Sequence, residues 1–440
     1  MTKLNKTWIA KRIVSCAVVM CISLSLVACN GGIDKSFDPN TKEITQDMEK
    51  VQYDFAGPVY DNRDFDEQKA NKLITEFALR LFGEELKNIE HSSDNVLISP
   101  TSVISALGMT TYGMNGDTLT QMQDAFGMSR GHLNYYNSEY LSNISDELKI
   151  ANSIWFSNAG HLTVKDEFLH FNNQFYNAEI YETAFDEKTV GSINHWIEEK
   201  TDGTIKKMLD QIPEDAVMYL INALLFEAEW EEKYNEHQIL EDLVFTNSEG
   251  KQEKVDMMSS GEDLFLEDED AKGFIKYYKD RDYAFVALLP NEDVEIADYA
   301  KKLTGEHLQE LLSNRREAIV HAWIPQFSYE YATEMKESLQ NMGIKDAFDM
   351  GRADFTNMAT STEGNIFISR VLHKTYIEVT PVGTKAGAAT VVEMNCGAAM
   401  SPEQPEIQEV HLDHPFIYMI IDCDSNTPVF IGTVNTVEER

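Results

Sequence analysis

The chain has 440 residues, of which 43% are hydrophobic and 10% aromatic, so it can bury a sizeable core and is not disordered throughout. Its formal net charge is -37, and removing residues 1–28 would take away four basic residues and no acidic one, which gives -41. Such a surface repels phosphate backbones and anionic headgroups, which argues against nucleic-acid binding. The charge favours a solvated acidic surface that aids solubility.

Residues 1–28 have the composition of an export signal. A basic stretch contains Lys3, Lys6, Lys11 and Arg12. It precedes an uncharged, mostly apolar run at 13–28. The run is short for a membrane-spanning helix and suits a signal peptide. It ends in "LVAC", which resembles the lipobox of bacterial lipoproteins, so we expect Cys29 to carry lipid. This predicts an exported protein anchored to the bacterial cell envelope, with surface exposure left open. The alternative is an ordinary signal peptide or an uncleaved anchor.

Residues 29–65 are polar and carry Gly, Pro and Asp breakers, which predicts a flexible tether. From residue 66 onward no further linker is evident, so residues 66–440 are expected to form one large domain. Apolar residues at helical spacing predict a helix from 67 and another after Pro100, with Ser99 or Thr101 as its cap. "INHWIEEKTDGTIKKML" predicts a helix, a turn and a second helix.

After about residue 215 the pattern changes to short apolar runs bounded by Gly, Pro, Asn or Asp, which predicts strands. Examples are "AVMYLINALLFEAEW", "YAFVALLP", "KTYIEVT" and "PVFIGTV". Helices early and strands late predict an α+β fold built on antiparallel sheets.

Enzymatic chemistry finds little support in the sequence. "GMSRG" at 127–131 fits the nucleophile-elbow pattern and precedes His132, but a helical stretch comes before Ser129 where that motif needs a strand. His373 lies in an apolar run, which favours a hydrogen-bonded core histidine over a catalytic base. The cysteines include no CxxC pair, and no HExxH motif occurs, so neither a metal nor a cofactor is predicted.

The segment that begins at Gly383 has the two-residue period of a strand. One face holds only small or apolar uncharged residues, namely Thr384, Ala386, Ala388, Thr390, Val392, Met394 and Cys396. The other face holds both charges of this stretch, Lys385 and Glu393. This pattern predicts a strand with one buried face, small enough at its start to enter a sheet that has already formed. The alternative is a flexible Gly/Ala loop.

A set of motifs occurs in order along residues 68–436, including "NVLISPTSVISALGMTTYGMNGDTLTQM", "INHWIEEKTDGTI", "LINALLFEAEWEEKY", "ADFTNM", "ISRVLHKTYIEV", "DHPFIYMI" and "FIGTVN". Together, and in this order, these motifs resemble those of the serpin family. The resemblance implies three β-sheets, about eight or nine helices and an exposed reactive-centre loop at about 383–409.

The resemblance also assigns roles to particular residues. It implies a hinge formed by Gly383, Thr384, Lys385, Ala386, Gly387, Ala388, Ala389 and Thr390. It implies a shutter, where the central sheet opens, formed by Ser99, Ser102, Asn222 and His373. Lys385 stands where the family usually has an acid, and Pro381 with Val382 stand where two acids are common. Pro381 lacks a backbone donor, which raises the question of how freely the hinge moves.

The scissile bond implied by the family's usual count is Gly397–Ala398, and the second choice is Met400–Ser401. A cut after Met394 is a further option. No Arg or Lys occurs from 386 to 416, so a trypsin-like protease is not the expected target. Elastase-like, subtilisin-like or papain-like proteases fit better.

The function implied is suicide inhibition of a serine, or else a cysteine, endopeptidase, with insertion of residues 383–396 into the central sheet. The expected partners are the target protease in a covalent acyl-enzyme complex and a membrane through the N-terminal lipid only. We expect a monomer that binds no nucleic acid and is not an enzyme. The alternative is a non-inhibitory binding protein of the cell envelope on the same fold.

Overall fold

The structure is a computed structural model, and it describes residues 38, 40–48, 53–55, 57–214, 216–384 and 407–437. Several predicted features lie outside these residues. They are the signal at 1–28, the lipid site Cys29, the hinge from Lys385 to Thr390 and both candidate reactive bonds, Gly397–Ala398 and Met400–Ser401.

Apart from one four-residue turn, the described residues contain nine α-helices. In chain order, the turn and the helices are α1 Thr45–Met48, α2 Glu67–Glu85, α3 Pro100–Thr111, α4 Gly116–Phe126, α5 Arg130–Asn143, α6 Asp166–Tyr176, α7 Glu187–Lys200, α8 Ile296–Lys302, α9 Gly305–Ser313 and α10 Lys336–Asn341. The helix that was predicted after Pro100 is α3, and Ser99 caps it by accepting a hydrogen bond from the Ser102 N–H.

The strands of the described residues are most frequent in the second half of the chain. They are β1 Lys42–Glu43, β2 Leu97–Ile98, β3 Leu148–Ser157, β4 Leu162–Val164, β5 Glu179–Thr183, β6 Met218–Phe226, β7 Ala228–Glu229, β8 Ile239–Thr246, β9 Gln252–Glu267, β10 Ala271–Tyr277, β11 Tyr283–Pro290, β12 Arg316–Pro325, β13 Phe327–Glu334, β14 Ala359–Ser361, β15 Leu372–Val379, β16 Gly383–Thr384, β17 Ile407–His411, β18 Phe416–Asp422 and β19 Thr427–Val434. The α+β class predicted from the sequence is confirmed.

The strands form one large sheet and three smaller ones. The large sheet has the order β17-β12-β9-β10-β11-β18-β19-β2, with β8 paired to β9. Two four-stranded sheets have the orders β1-β5-β3-β6 and β13-β15-β16-β7, and β14 pairs with β4. We call the two four-stranded sheets the half-sheets, because β7 follows β6 after one residue and joins them at one end.

The large sheet separates two apolar cores. Every residue of β11 is buried, because helices and half-sheets cover both faces. Alternate residues contribute to different cores, as the two-residue period requires: Ala284 and Val286 pack in one, Tyr283 and Phe285 in the other. The runs "YAFVALLP" and "PVFIGTV" are therefore strands buried on both sides, whereas "KTYIEVT" forms β15, in which buried and partly exposed residues alternate.

The second helix predicted in "INHWIEEKTDGTIKKML" does not form. Helix α7 ends at Lys200, and residues 201–209 are irregular. The Asn194 side chain satisfies this backbone instead, because it accepts from the N–H groups of Met208 and Leu209 and donates to the Leu209 carbonyl. A side chain that bonds the backbone in this way competes with helix formation.

The described part of residues 29–65, for which the sequence predicts a flexible tether, is packed against the domain. Strand β1 pairs with β5, and the Ile44 N–H donates to the Ile180 carbonyl at 2.9 Å. The Phe55 ring is 7% exposed and contacts the rings of Tyr112 and Phe171. The aromatic residues of this polar segment supply the apolar area that holds it in place.

Candidate functional site

A cleft separates the two half-sheets. It is lined on one side by β6 and on the other by β15, and it holds a cavity of about 290 Å³. Within the described part of the chain, β6 forms a ladder only with β3, while β15 forms ladders with β13 and β16. The central sheet that the resemblance implies is thus divided along its length. One added strand could pair with both inner edges.

Strand β16 closes one end of this cleft. Thr384 pairs with Val379 of β15 on one side and with Ala228 of β7 on the other. Both pairings are antiparallel, so a strand already begins between β15 and β7, the strand that follows β6 after one residue. If the same register continued, the chain would run past Ile377, Thr375 and His373 along β15.

A tight turn at 380–382 brings β16 into this position. The Thr380 N–H donates to the Gly383 carbonyl at 2.9 Å. The Pro381 carbonyl accepts from the Tyr234 N–H, and the Val382 carbonyl accepts from the Trp230 N–H. Pro381 therefore sits where the chain reverses, outside any ladder, and its missing donor interrupts no strand pairing.

The two residues of β16 fit their site closely. A Cβ at Gly383 would lie 2.1 Å from the Ala228 carbonyl oxygen, so only glycine allows this approach. The Thr384 side chain is 2% exposed, and its Oγ1 lies 2.6 Å from the Tyr278 Oη. Thr384 belongs to the uncharged face of the predicted strand, and this first member of that face is buried.

An aromatic and ionic cluster supports the turn and β16. The Trp230 ring stacks on Tyr278 with 4.4 Å between centroids, and its Nε1 donates to the Thr380 carbonyl at 2.9 Å. Lys276 lies 4.7 Å from the Tyr234 ring centroid and pairs with Glu262 at 2.8 Å. Burial raises the pKa of the Glu262 carboxyl, and Lys276 acts against that rise.

Three of the four predicted shutter residues meet at the middle of the cleft. The Ser99 N–H donates to His373 Nε2 at 3.0 Å, and the Ser99 Oγ accepts from the Ser102 N–H at 3.3 Å. Burial lowers the pKa of the His373 ring to about 4. His373 is thus neutral and carries its proton on Nδ1, which is the arrangement expected of a buried structural histidine.

Asn222, the fourth predicted shutter residue, lies on the β6 side of the cleft. Its Nδ2 donates to Asn152 Oδ1 at 2.9 Å, and Asn152 Nδ2 donates to the Tyr176 carbonyl at 2.8 Å. The buried Asn222 Oδ1 has no hydrogen-bond partner within the described part of the chain. All four predicted residues line the cleft, but the structure does not bring Asn222 into contact with His373.

Sequence reasoning missed Asn152, Trp230 and Tyr278. Asn152 is a polar residue in the apolar run "KIANSIWF", the same signal that marked Asn222, so it could have been found. Trp230 and Tyr278 carry no such signal, because a buried aromatic residue in a strand-rich region is ordinary core.

Ser129 and His132 do not form a nucleophile and base pair. The Ser129 Oγ accepts from the His132 N–H and caps α5, while His132 Nε2 lies 3.1 Å from the Arg63 carbonyl. Across the described ranges, no cluster of three His, Cys, Asp or Glu residues could hold a metal ion. No helix there is both long and apolar enough to cross a membrane.

A family model described as Serpin (serine protease inhibitor) matches residues 72–437. The chain is a serpin. Serpins are in general non-catalytic protease inhibitors.

Human Serpin B3 is 31% identical over 390 residues, which covers 81% of this serpin and 97% of the relative. The crystal structure of tengpin, a thermophilic serpin in its native state, is 38% identical and covers 90% of this chain and 100% of its own, with a TM-score of 0.80. Human thyroxine-binding globulin complexed with its ligand covers 85% of this chain and 100% of its own, with a TM-score of 0.74; at 20% identity it shows the fold alone.

Proposed function

We propose that this serpin traps a serine or cysteine endopeptidase by inserting residues 383–396 into the cleft after its loop is cut. One observation supports the proposal: at one end of the cleft between β6 and β15, β16 already pairs with β15 on one side and on the other with β7, which follows β6 after one residue. The strand that the inhibitor must add has therefore begun.

The chemistry requires only what a protease does to a substrate. Its nucleophile attacks the carbonyl carbon of the scissile bond, the amine of the next residue leaves, and an ester or thioester joins protease and loop. The newly freed strand then pairs with β6 and β15. Because the protease is bonded to the end of that strand, insertion moves and distorts it, and hydrolysis of the acyl bond stalls.

The energetic balance favours insertion only when side-chain burial is added. Backbone hydrogen bonds contribute about 1 kcal/mol each, and ordering a residue costs about 1–2 kcal/mol. These two quantities nearly cancel for a strand that pairs on both edges. The buried Thr384 at the start of the uncharged face supports burial of the same face farther along.

The target belongs to the elastase-like, subtilisin-like or papain-like classes in this proposal. The bond cut is Gly397–Ala398 or, as the second choice, Met400–Ser401, and both fall in a stretch with no basic residue. A lipid on Cys29 would hold the inhibitor at the cell envelope. The sequence alone supports this anchor.

The test compares wild type with Thr384→Arg and Thr384→Ser against a panel of elastase-, subtilisin-, trypsin- and papain-like proteases. Wild type and Thr384→Ser should give a complex that survives denaturing gels, since Ser keeps the hydroxyl that faces Tyr278. Thr384→Arg places a charge in a buried position, so its loop should be cut without a stable complex. Cutting should also raise the melting temperature of wild type.

Cleavage of wild type without a stable complex and without a rise in melting temperature would contradict the proposal. That result would favour the alternative, a binding protein of the cell envelope on the serpin fold. Sequencing the peptide released from the wild-type complex locates the scissile bond.

A further inference from the structure

The outer face of the β12–β17 ladder is unusually apolar for this acidic molecule. Four large hydrophobic side chains stand out as exposed among the described residues: Val244, Ile319, Met350 and Ile407. Two of them lie side by side, because Ile319 pairs with Ile407. They are 39% and 55% exposed.

The face continues along both strands. Next to the isoleucine pair, His321 Nδ1 lies 2.9 Å from one oxygen of the Glu409 carboxylate, and His411 Nε2 lies 3.0 Å from the other. The Trp323 ring then stacks on the His411 ring with 3.7 Å between centroids. We call the outer residues of the two strands the sheet-edge face, and they are Ile319, His321, Trp323, Ile407, Glu409 and His411.

The sheet-edge face is held in place from beneath. Its residues alternate with Val320, Ala322 and Val410, which are fully buried in the core. A ladder with one side anchored in this way presents its other side at fixed positions. The single carboxylate of the face is already shared by two histidines, so a partner need not supply a charge.

The position of the face relates it to the loop. Ile407 is the first described residue after 385–406, the range that contains both candidate scissile bonds. Ten residues separate Gly397 from Ile407, and such a chain spans at most roughly 35 Å. A protease domain of about 200 residues has a radius of gyration of about 16 Å. The bond that a protease would cut therefore lies within roughly 35 Å of β17, a distance that a protease of this size can bridge.

We propose that the sheet-edge face is a second contact for the target protease, separate from the loop that the protease cuts. Ile319 and Ile407 pack against an apolar part of the protease surface beside its active-site cleft, and the Trp323–His411 stack extends this contact. The inference rests on the proposed function, because it takes the same protease as partner. It assigns part of the selectivity to residues outside the loop.

The test measures binding of the protease to the serpin in the absence of cleavage. It uses the panel protease that cuts the loop fastest, with its nucleophile replaced by alanine so that it binds but cannot cut. The variant Ile319→Thr/Ile407→Thr keeps β-branched side chains and removes apolar surface. Val244→Thr is the matched control, because Val244 is 45% exposed on β8 and pairs with Lys254, which lies outside the part of β9 that pairs with β12.

The double variant should raise the Kd of the inactive protease roughly 5- to 20-fold, while Val244→Thr leaves it within about twofold. With active protease, the double variant should still form the gel-stable complex at unchanged stoichiometry but more slowly. Unfolding curves of both variants should match wild type, because the substituted side chains are exposed.

Other results would separate the second contact from the trapping function. An unchanged Kd for the double variant would overturn the inference, even if the covalent complex forms and the proposed function stands. A raised Kd without any covalent complex from wild type would keep the second contact and reject trapping. If no protease of the panel binds wild type, the results contradict both the trapping function and the second contact. A change in self-association by sedimentation, with an unchanged Kd, would assign the face to a second copy of the chain instead.

Discussion

His373 links β15 to the start of α3 at the cleft, because its ring on β15 accepts a hydrogen bond from the Ser99 N–H. This contact requires an unprotonated Nε2. Burial keeps the ring neutral down to a pKa of about 4, whereas a histidine in the unfolded chain has a pKa of about 6.5. Below pH 6.5 the unfolded chain binds a proton that the folded protein does not.

This difference predicts a loss of stability on acidification. As the pH falls from about 6.5 to about 4, the free energy of unfolding should decrease by about 1.4 kcal/mol per pH unit from His373 alone, and the loss should level off below pH 4. His373→Gln keeps an acceptor for the Ser99 N–H and has no group that titrates there. Denaturant unfolding of wild type and variant between pH 4.5 and 7.5 measures the effect. If the free energy of unfolding changes with pH in the same way for wild type and His373→Gln, the His373 ring is not the cause of the loss of stability.

At the residue scale, the sequence was informative where a polar or small residue interrupts an apolar pattern. It singled out His373 in this way, while Gly383 was marked by the run of small residues that it begins and by the family resemblance, and the structure places both at the cleft. It did not identify Tyr278, whose hydroxyl meets Thr384. A tyrosine in a strand-rich region looks like any other core residue until the fold brings position 384 against it.

The N-terminal elements illustrate how a segment's composition can mislead. Breakers and charges predicted a tether over 29–65, but in the described part of that segment four aromatic residues lie in or against the core, Tyr53, Phe55, Tyr60 and Phe65, and β1 adds a strand to the edge of the half-sheet at β5. Capping and periodicity predicted α3 correctly. The missing helix after α7 depended on one side chain, Asn194, whose contacts only the fold reveals.

Phe55 offers a direct test of whether this segment is part of the folded domain. Phe55→Ala should lower the free energy of unfolding by about 3–5 kcal/mol, because it empties a site enclosed by aromatic rings. Met350→Ala, at a side chain that is 59% exposed, is the control and should change stability by about 0.5 kcal/mol or less. Chemical denaturation measures both. If the Phe55→Ala variant is as stable as the control, the result would support the prediction of a flexible tether.

At the scale of the whole molecule, the serpin fold was predictable because many motifs occur in one order along most of the chain. The division into half-sheets was not. It depends on the balance between strand pairing, packing and strain over the entire domain, and no local pattern records that balance. The sequence could show which face of residues 384–396 suits burial but not that a cleft stands ready for it.

The cleft should accept the inserting strand from outside the chain as well. A peptide with the sequence of residues 384–395, added to uncut protein, should stabilise it by about 2.7 kcal/mol at a hundredfold excess over its Kd. Thermal unfolding measures this, and the filled protein should then be cut by protease without trapping it.

The control peptide exchanges Lys385 with Ala386 and Glu393 with Met394, which keeps the composition and moves both charges to the buried face. It should neither stabilise the protein nor block trapping. Equal effects of the two peptides would mean that binding does not depend on the face that enters the cleft.

Strand β16 lies between β15 and β7 at one end of the cleft only, and this gives the proposed insertion a direction. In the proposed mechanism, new backbone pairs can form only next to existing ones, so insertion of the strand advances from Thr384 toward the far end of the cleft. If the proposed bond after Gly397 is cut, the attached protease is thirteen residues ahead of that point and would travel roughly 40 Å at about 3.3 Å per residue. Such a distance is comparable to the diameter of the protease, so the proposed insertion would move the enzyme by one protease diameter from the place where it first attached.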